Sequence, residues 1–140
     1  KERLGVAVIT PHPRELSRLC GQSVTEIQEN RIATVRQLSQ EWNVVLLLKG
    51  AYTVIGSPDA KIFINPTGNS ALATAGSGDV LSGFIGGFLA QGLSPLHATL
   101  TGAYLHGLAA ECLIQKTDSN NIVASELFEG LRLARNVIKA

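Results

Sequence analysis

The chain has 140 residues, 45% of them hydrophobic and 16% charged, which is the length of one domain and too rich in core material for a disordered segment. With 12 basic and 11 acidic residues the formal net charge is +1 and neither sign forms a block, so nucleic acid and anionic membrane are excluded as electrostatic partners. The longest apolar run, Val44 to Leu48, is too short to span a bilayer, and the first residues carry neither an apolar secretory core nor a cleavage signal. Cys20 and Cys112 stand far apart without metal-ligand spacing; they read as small buried hydrophobes and suit a reducing, cytoplasmic setting. The chain starts at Lys1 and contains no Met, so residues 1–140 are expected to be a single domain or a fragment of a longer product.

In chain order, Leu4 to Thr10 predicts a short strand ended by Thr10-Pro11-His12-Pro13, where two prolines forbid continuation and Pro13 suits the first turn of a helix. That helix runs from Pro13 to Cys20 and stops at Gly21. Ser23 and Glu26 have capping-box spacing for a second helix extending to about Trp42, with Ile32, Val35, Leu38 and Trp42 on one face. Val44 to Leu48 is continuously apolar, the pattern of a strand covered by helices on both faces. Thr53 to Ile55 and Ala60 to Ile64, joined by Gly56-Ser57-Pro58-Asp59, predict two short antiparallel strands. Asn65 to Ser77 has little periodicity and reads as an ordered, functional loop.

Three helices complete the chain. The first runs from Gly78 to Gln91 with Leu81, Ile85, Phe88 and Leu89 inward, and its Gly83, Gly86 and Gly87 are expected to pack closely on a neighbour. The second runs from Ser94 to about Gln115 and the third from Ser125 to Lys139. Strands interleaved with helices, then helices alone, predict an α/β layered domain.

The segment from Thr74 to Gly83 sets a glycine-rich turn directly before an amphipathic helix. Backbone N–H groups of Ala75, Gly76, Ser77 and Gly78 can converge there on an anion, and the helix N-terminus adds about half a positive charge. Asp79, in the first turn, has two readings: a base for a hydroxyl attacking phosphorus, or a helix cap. Neither a Walker A nor a dinucleotide-fingerprint spacing is present. Lys49-Gly50-Ala51-Tyr52-Thr53, at the end of the buried strand, is either a set of nucleotide contacts with the Lys49 amine near phosphate or a plain hairpin turn. His12 is stiffly mounted between two prolines and is either a functional donor or an exposed turn residue. Glu15 reads as a favourable first-turn charge, and His97 and His106 as packing residues without a catalytic role.

Taken together, Thr10-Pro11-His12-Pro13-x-Glu15, Lys49-Gly50-x-x-Thr53, Gly68-Asn69 and the block from Ala73 to Gly83 resemble the ADP/ATP-dependent NAD(P)H-hydrate dehydratases of the ribokinase-like superfamily. Gly92-Leu93-Ser94-Pro95, His106-Gly107 and Ala124-Ser125-Glu126-Leu127 extend the resemblance over nearly the whole chain. It implies the C-terminal part of a ribokinase-like three-layer α/β/α fold, the nucleotide-binding half of a longer dehydratase domain. The implied activity is removal of water from hydrated NADH or NADPH at the expense of ADP or ATP, a nicotinamide nucleotide repair reaction. By the same resemblance His12 and Asp79 contact the hydrated dinucleotide, with Asp79 as catalytic base. Lys49, Gly50, Ala51, Tyr52, Thr53 and Gly78 line the adenine nucleotide site, and Mg²⁺ bridges the phosphates.

The resemblance and the apolar composition favour a homo-oligomer, with a tetramer as the candidate assembly, and the 140-residue chain alone is expected to be inactive. Two departures lie beside the site: Arg14 where the family usually has Gly, and Ser70-Ala71-Leu72 in place of Pro/Ala-Gly-Met. Two rival readings stay open. One is a ribokinase-like kinase of a vitamin precursor or sugar, against which the Thr10-Pro11-His12-Pro13 turn speaks; the other is a non-catalytic nucleotide-binding or assembly half.

Overall fold

The computed structural model describes residues 6–117 and 121–139. Its centre is a four-stranded sheet in the order β1 (Ala7–Ile9), β2 (Val44–Leu48), β3 (Val54–Gly56), β4 (Ile62–Ile64). β1 and β2 run parallel with Val8 opposite Val45, while β2, β3 and β4 form antiparallel neighbours with Leu47 opposite Ile55 and Ile55 opposite Phe63. The expected start of the first strand at Leu4 and Gly5 lies outside the described residues.

β2 shows why its run is apolar without alternation. Leu46 and Leu48 turn to a core with Leu16, Ile27, Val35 and Leu38, contributed by α1 (Pro13–Cys20), α2 (Val24–Glu29) and α3 (Arg31–Glu41). Val45 and Leu47 turn the other way, to Leu81, Ile85, Ala98 and Ala103 of α4 (Ser77–Ala90) and α5 (Pro95–Thr117). Leu46, Leu47 and Leu48 are all fully buried, each contributing about 1.5–3 kcal/mol of transfer free energy. The last helix, α6 (Leu127–Lys139), enters through a 3₁₀ turn at Ala124–Glu126 and packs on α5 through Leu127, Leu133 and Ala134. Helices thus cover both faces of the sheet, the three-layer arrangement expected from the resemblance. Cys112 is buried between α5 and α6, and Cys20 packs against the first core, both as small apolar side chains. Among the described residues, no helix is long and apolar enough to cross a membrane.

The single helix predicted from Ser23 to Trp42 is instead two. Asn30 leaves helical geometry (φ −125°, ψ 33°), and its N–H and side-chain amide both donate to the Glu26 carbonyl, which closes α2 and restarts the chain as α3. The buried face of α3 then comprises Thr34, Val35, Leu38 and Ser39, and Ile32 is 43% exposed.

The expectation for the glycines of α4 is also corrected. A Cβ on Gly83, Gly86 or Gly87 would meet nothing within 4 Å among the described residues, and Leu89 is partly exposed. Close helix contacts form elsewhere: a Cβ on Gly102 would stand 2.7 Å from Ile85 Cγ1, and one on Gly130 2.5 Å from the Ala109 carbonyl. Small residues there let α5 approach α4 and α6.

Candidate functional site

The chain leaves β1 through Pro11 and enters α1 with His12 as N-cap. Its ring does the work usually given to Ser or Asp: Nδ1 accepts from the Glu15 N–H at 3.0 Å, while Glu15 Oε2 accepts from the His12 N–H at 2.7 Å. Glu15 also lies 3.5 Å from the Lys49 amine and 3.4 Å from His12 Nε2. The backbone hydrogen bond from His12 is the main cause that holds its carboxyl below the usual range, with Lys49 adding to it. Glu15 therefore does more than place a charge in a first turn; it ties the His12 turn to Lys49.

Lys49 follows β2, and its N–H donates to the Pro11 carbonyl at 2.9 Å, so the first turn and the strand end are held side by side. Residues 49–53 make the link between β2 and β3, with Tyr52 at φ 52° and the Thr53 hydroxyl donating to the Gly50 carbonyl at 3.1 Å. The segment is a hairpin connection and a cavity wall at once, so the two readings of it are not exclusive. Lys49 then reaches across to α4: a Cβ on Gly78 would stand 3.3 Å from its Nζ.

Gly76 opens α4 as N-cap at φ 84°, a left-handed conformation that costs a glycine little. Asp79 is exposed, and among the described residues its carboxylate has no hydrogen-bond or ion-pair partner. The cap reading is thereby lost: no side chain caps this helix. The N–H groups of Ala75, Gly76 and Gly78 find no acceptor among the described residues, whereas Ser77 donates to the Thr74 carbonyl at 3.3 Å. Three unpaired donors at the positive end of a helix have the chemistry to receive an anion. The turn is braced from outside by Ser77 Oγ donating to Leu72 O at 2.6 Å and by His106.

His106 is buried on α5, and its Nε2 lies 3.0 Å from the Ser77 carbonyl. A carbonyl only accepts, so Nε2 carries the proton. Burial pushes the imidazole below its ordinary range, favouring that neutral form, and Phe84 meets the ring edge-on at 6.0 Å. His97, by contrast, is exposed and closes a local contact with Ser94 Oγ at 2.9 Å.

The loop after β4 is fastened to the same helix. Asn65 Nδ2 donates to the Ala103 carbonyl at 3.2 Å, Thr67 Oγ1 donates to the Tyr104 carbonyl at 2.8 Å, and Glu111 Oε1 accepts from the Gly68 N–H at 2.7 Å. Gly107 allows this approach, since a Cβ there would collide with Thr67 Oγ1 and lie 2.5 Å from the Thr67 carbonyl carbon. A 3₁₀ turn at Ser70–Leu72, capped by Asn69, carries the chain on to the Gly76 turn.

These segments enclose one cavity of about 570 Å³. Lys49, Gly50, Ala51, Tyr52 and Thr53 line one side; Ser77, Gly78 and Leu81 line another; the 65–73 loop with Ala103, His106 and Gly107 completes it. Of the residues singled out in the sequence, the five from Lys49 to Thr53, with Ser77 and Gly78, meet on this cavity, while His12, Ala75, Gly76 and Asp79 lie outside its lining. The sequence marks residues 65–77 as a functional loop but not the anchoring roles of Asn65 and Thr67, nor those of His106 and Glu111 on α5, for which the signal is Gly107 beside His106 inside a helix, a mark of close backbone approach.

Comparison with known proteins identifies the family. A family model described as NAD(P)H-hydrate dehydratase matches residues 1–132. The chain is 48% identical over 127 residues to a bifunctional NAD(P)H-hydrate repair enzyme of Moorella thermoacetica, covering 91% of this chain and 24% of that protein. It superposes with a TM-score of 0.91 and 39% identity on the ADP/ATP-dependent NAD(P)H-hydrate dehydratase of Bacillus subtilis, co-crystallised with ATP and Mg²⁺, over 98% of this chain and 51% of that one. A ribokinase-like superfamily protein of Enterococcus faecalis matches with a TM-score of 0.75 and 32% identity, over 94% and 44%. The chain spans about half the length of these solved relatives and a quarter of the bifunctional enzyme. With a ribokinase-like α/β fold and the family match running from residue 1 to residue 132, the chain belongs to the NAD(P)H-hydrate dehydratase family.

Proposed function

We propose that this chain is the nucleotide-binding half of an enzyme that dehydrates hydrated NAD(P)H at the expense of ADP or ATP. The observation that carries the reading is the cavity in which the strand-end segment 49–53 faces the α4 turn, with the Lys49 amine over Gly78. A cavity of this size suits a nucleotide, and unpaired N–H groups beside a lysine suit its phosphates.

In this reading the Asp79 carboxylate takes the proton from the C6 hydroxyl of the hydrated ring as that oxygen attacks the terminal phosphorus. The bond from phosphorus to the nucleotide's bridging oxygen breaks, and the N–H groups of Ala75, Gly76 and Gly78 stabilise the transferring charge. The ring nitrogen lone pair then expels inorganic phosphate from C6, and loss of a C5 proton restores the dihydropyridine. His12 holds the dinucleotide through Nε2, since its Nδ1 is committed to the helix cap. Among the described residues no three His, Cys, Asp or Glu side chains cluster as metal ligands. Mg²⁺ carried in with the nucleotide would neutralise phosphate charge beside the Lys49 amine and the Gly76 turn. We place the enzyme in the cytoplasm as a homo-oligomer, with a tetramer as the candidate; exposed Phe128, Val137 and Ile138 on α6 support an assembly.

The test is ADP- or ATP-dependent conversion of hydrated NADH to NADH, followed at the dihydronicotinamide absorbance, with the full-length product of the gene that contains this chain. Asp79→Asn should abolish turnover and leave nucleotide binding intact; full activity in that variant would remove Asp79 as the base. Failure of the wild type with both nucleotides and Mg²⁺ would point to a different hydroxyl substrate.

A further inference from the structure

Arg31 opens α3 directly behind Asn30, the C-cap of α2, and holds its guanidinium over the end of β2. Its guanidinium is partly buried, and this desolvation disfavours its charged form. No carboxylate lies within ion-pair distance of it among the described residues. Its partners are neutral oxygens: Gln28 Oε1 at 2.7 Å, the Leu48 carbonyl at 3.1 Å and the Lys49 carbonyl at 3.4 Å. Hydrogen bonds to these oxygens, and no carboxylate, offset the desolvation of the guanidinium.

The position of the two carbonyls links Arg31 to the cavity. They belong to the last residue of β2 and to the first residue of the cavity wall. The Lys49–Gly50 peptide is trans, so a Lys49 carbonyl turned to Arg31 turns the Gly50 N–H the opposite way, and that N–H has no acceptor among the described residues. Gly50 itself sits at φ 142°, and a Cβ there would stand 2.9 Å from Arg31 Nη1. The guanidinium thus fills the space behind the wall and fixes the rotation of its first peptide.

We infer that Arg31 is a positioning residue for the nucleotide: through the Leu48 and Lys49 carbonyls it orients the Lys49–Gly50 peptide and presents the Gly50 N–H as a donor. It acts through the wall and does not touch the ligand. The positive charge behind the Lys49–Gly50 wall adds a field that favours an anion in the cavity. The inference rests on the nucleotide reading of the cavity.

The experiment titrates ADP–Mg²⁺ and ATP–Mg²⁺ into the full-length product as wild type, Arg31→Ala, Arg31→Lys and Arg31→Gln, with steady-state kinetics alongside. Arg31→Ala should raise Kd and KM for the nucleotide about tenfold, the scale of a lost charge-assisted hydrogen bond, with kcat at saturation within about threefold of wild type. A lysine keeps the charge but cannot span two carbonyls with a planar fork, so affinity should fall in the order wild type, Lys, Gln. If Arg31→Ala does not fold, that order among the remaining three proteins decides. Variants that bind nucleotide like wild type, or that lose kcat with KM unchanged, overturn the positioning role alone. A wild type that binds neither nucleotide overturns the nucleotide reading and this inference with it.

Discussion

The amine of Lys49 rests over Gly78, so close that a Cβ on the glycine would stand 3.3 Å from Nζ. One residue follows the central strand and the other lies in the first turn of α4; the contact joins the two walls of the cavity. Gly78→Ala needs no change of backbone, and alanine gains up to about 1 kcal/mol of helix propensity. Thermal unfolding should therefore show equal or higher stability, while titration with ADP or ATP shows weaker binding because the amine is displaced. Unchanged affinity would show that Lys49 does not act from this position.

His106→Ala removes the donor to the Ser77 carbonyl and should cost about 1–3 kcal/mol in denaturant unfolding, with Gln restoring part of it through its own N–H. The pH dependence follows from burial. The folded imidazole titrates below its ordinary 6.5, so the unfolded chain binds the proton more readily and the native state loses stability as pH falls below 6.5. Unfolding measured from pH 8 downwards should show this loss in wild type and not in His106→Gln.

Gly107→Ala drives a methyl group into the backbone of Thr67, which has no flexible end to yield. The expected cost is about 1–3 kcal/mol, typical of overpacking, together with weaker nucleotide binding as the 65–73 wall lifts from α5. A melting temperature equal to wild type would contradict the close approach seen here.

Glu129 bridges Lys116 at 3.2 Å and Arg132 at 2.8 Å, tying α5 to α6. Hydrogen bonding from Arg132, then from Lys116, lowers its carboxyl to about 2 from an ordinary 4.5. A depressed acid stabilises the fold above pH 4.5 and loses that effect as pH falls towards about 2. Glu129→Gln should lower the melting temperature slightly at neutral pH, and the gap to wild type should close in acid and shrink with added salt.

What the sequence discloses here follows from where each partner lies. β2 is legible because helices on both faces demand an unbroken apolar run, and α1 because Pro11 and Pro13 bracket its start. The break at Asn30 hides inside a periodic pattern, since a spacing that satisfies one long helix also satisfies two short ones. Glycines look alike in a string of letters. Gly83, Gly86 and Gly87 suggest packing yet face open space, while Gly102, Gly107 and Gly130 hold the helices together, because the deciding neighbour is distant in sequence. The same holds for the site. Lys49 to Thr53 and the Gly76 turn carry composition cues, whereas Arg31, Asn65, Thr67 and His106 act on backbone carbonyls, groups that every residue possesses and no letter marks.

Helix α5 supplies an acceptor or donor to Asn65, Thr67, Gly68 and Ser77 in turn, from Ala103 to Glu111. For protein engineering this makes the loop and the helix a single heritable unit. A chimera that borrows residues 65–77 from a relative in order to change ligand preference must borrow residues 103–111 with them, or the grafted loop arrives without its anchors.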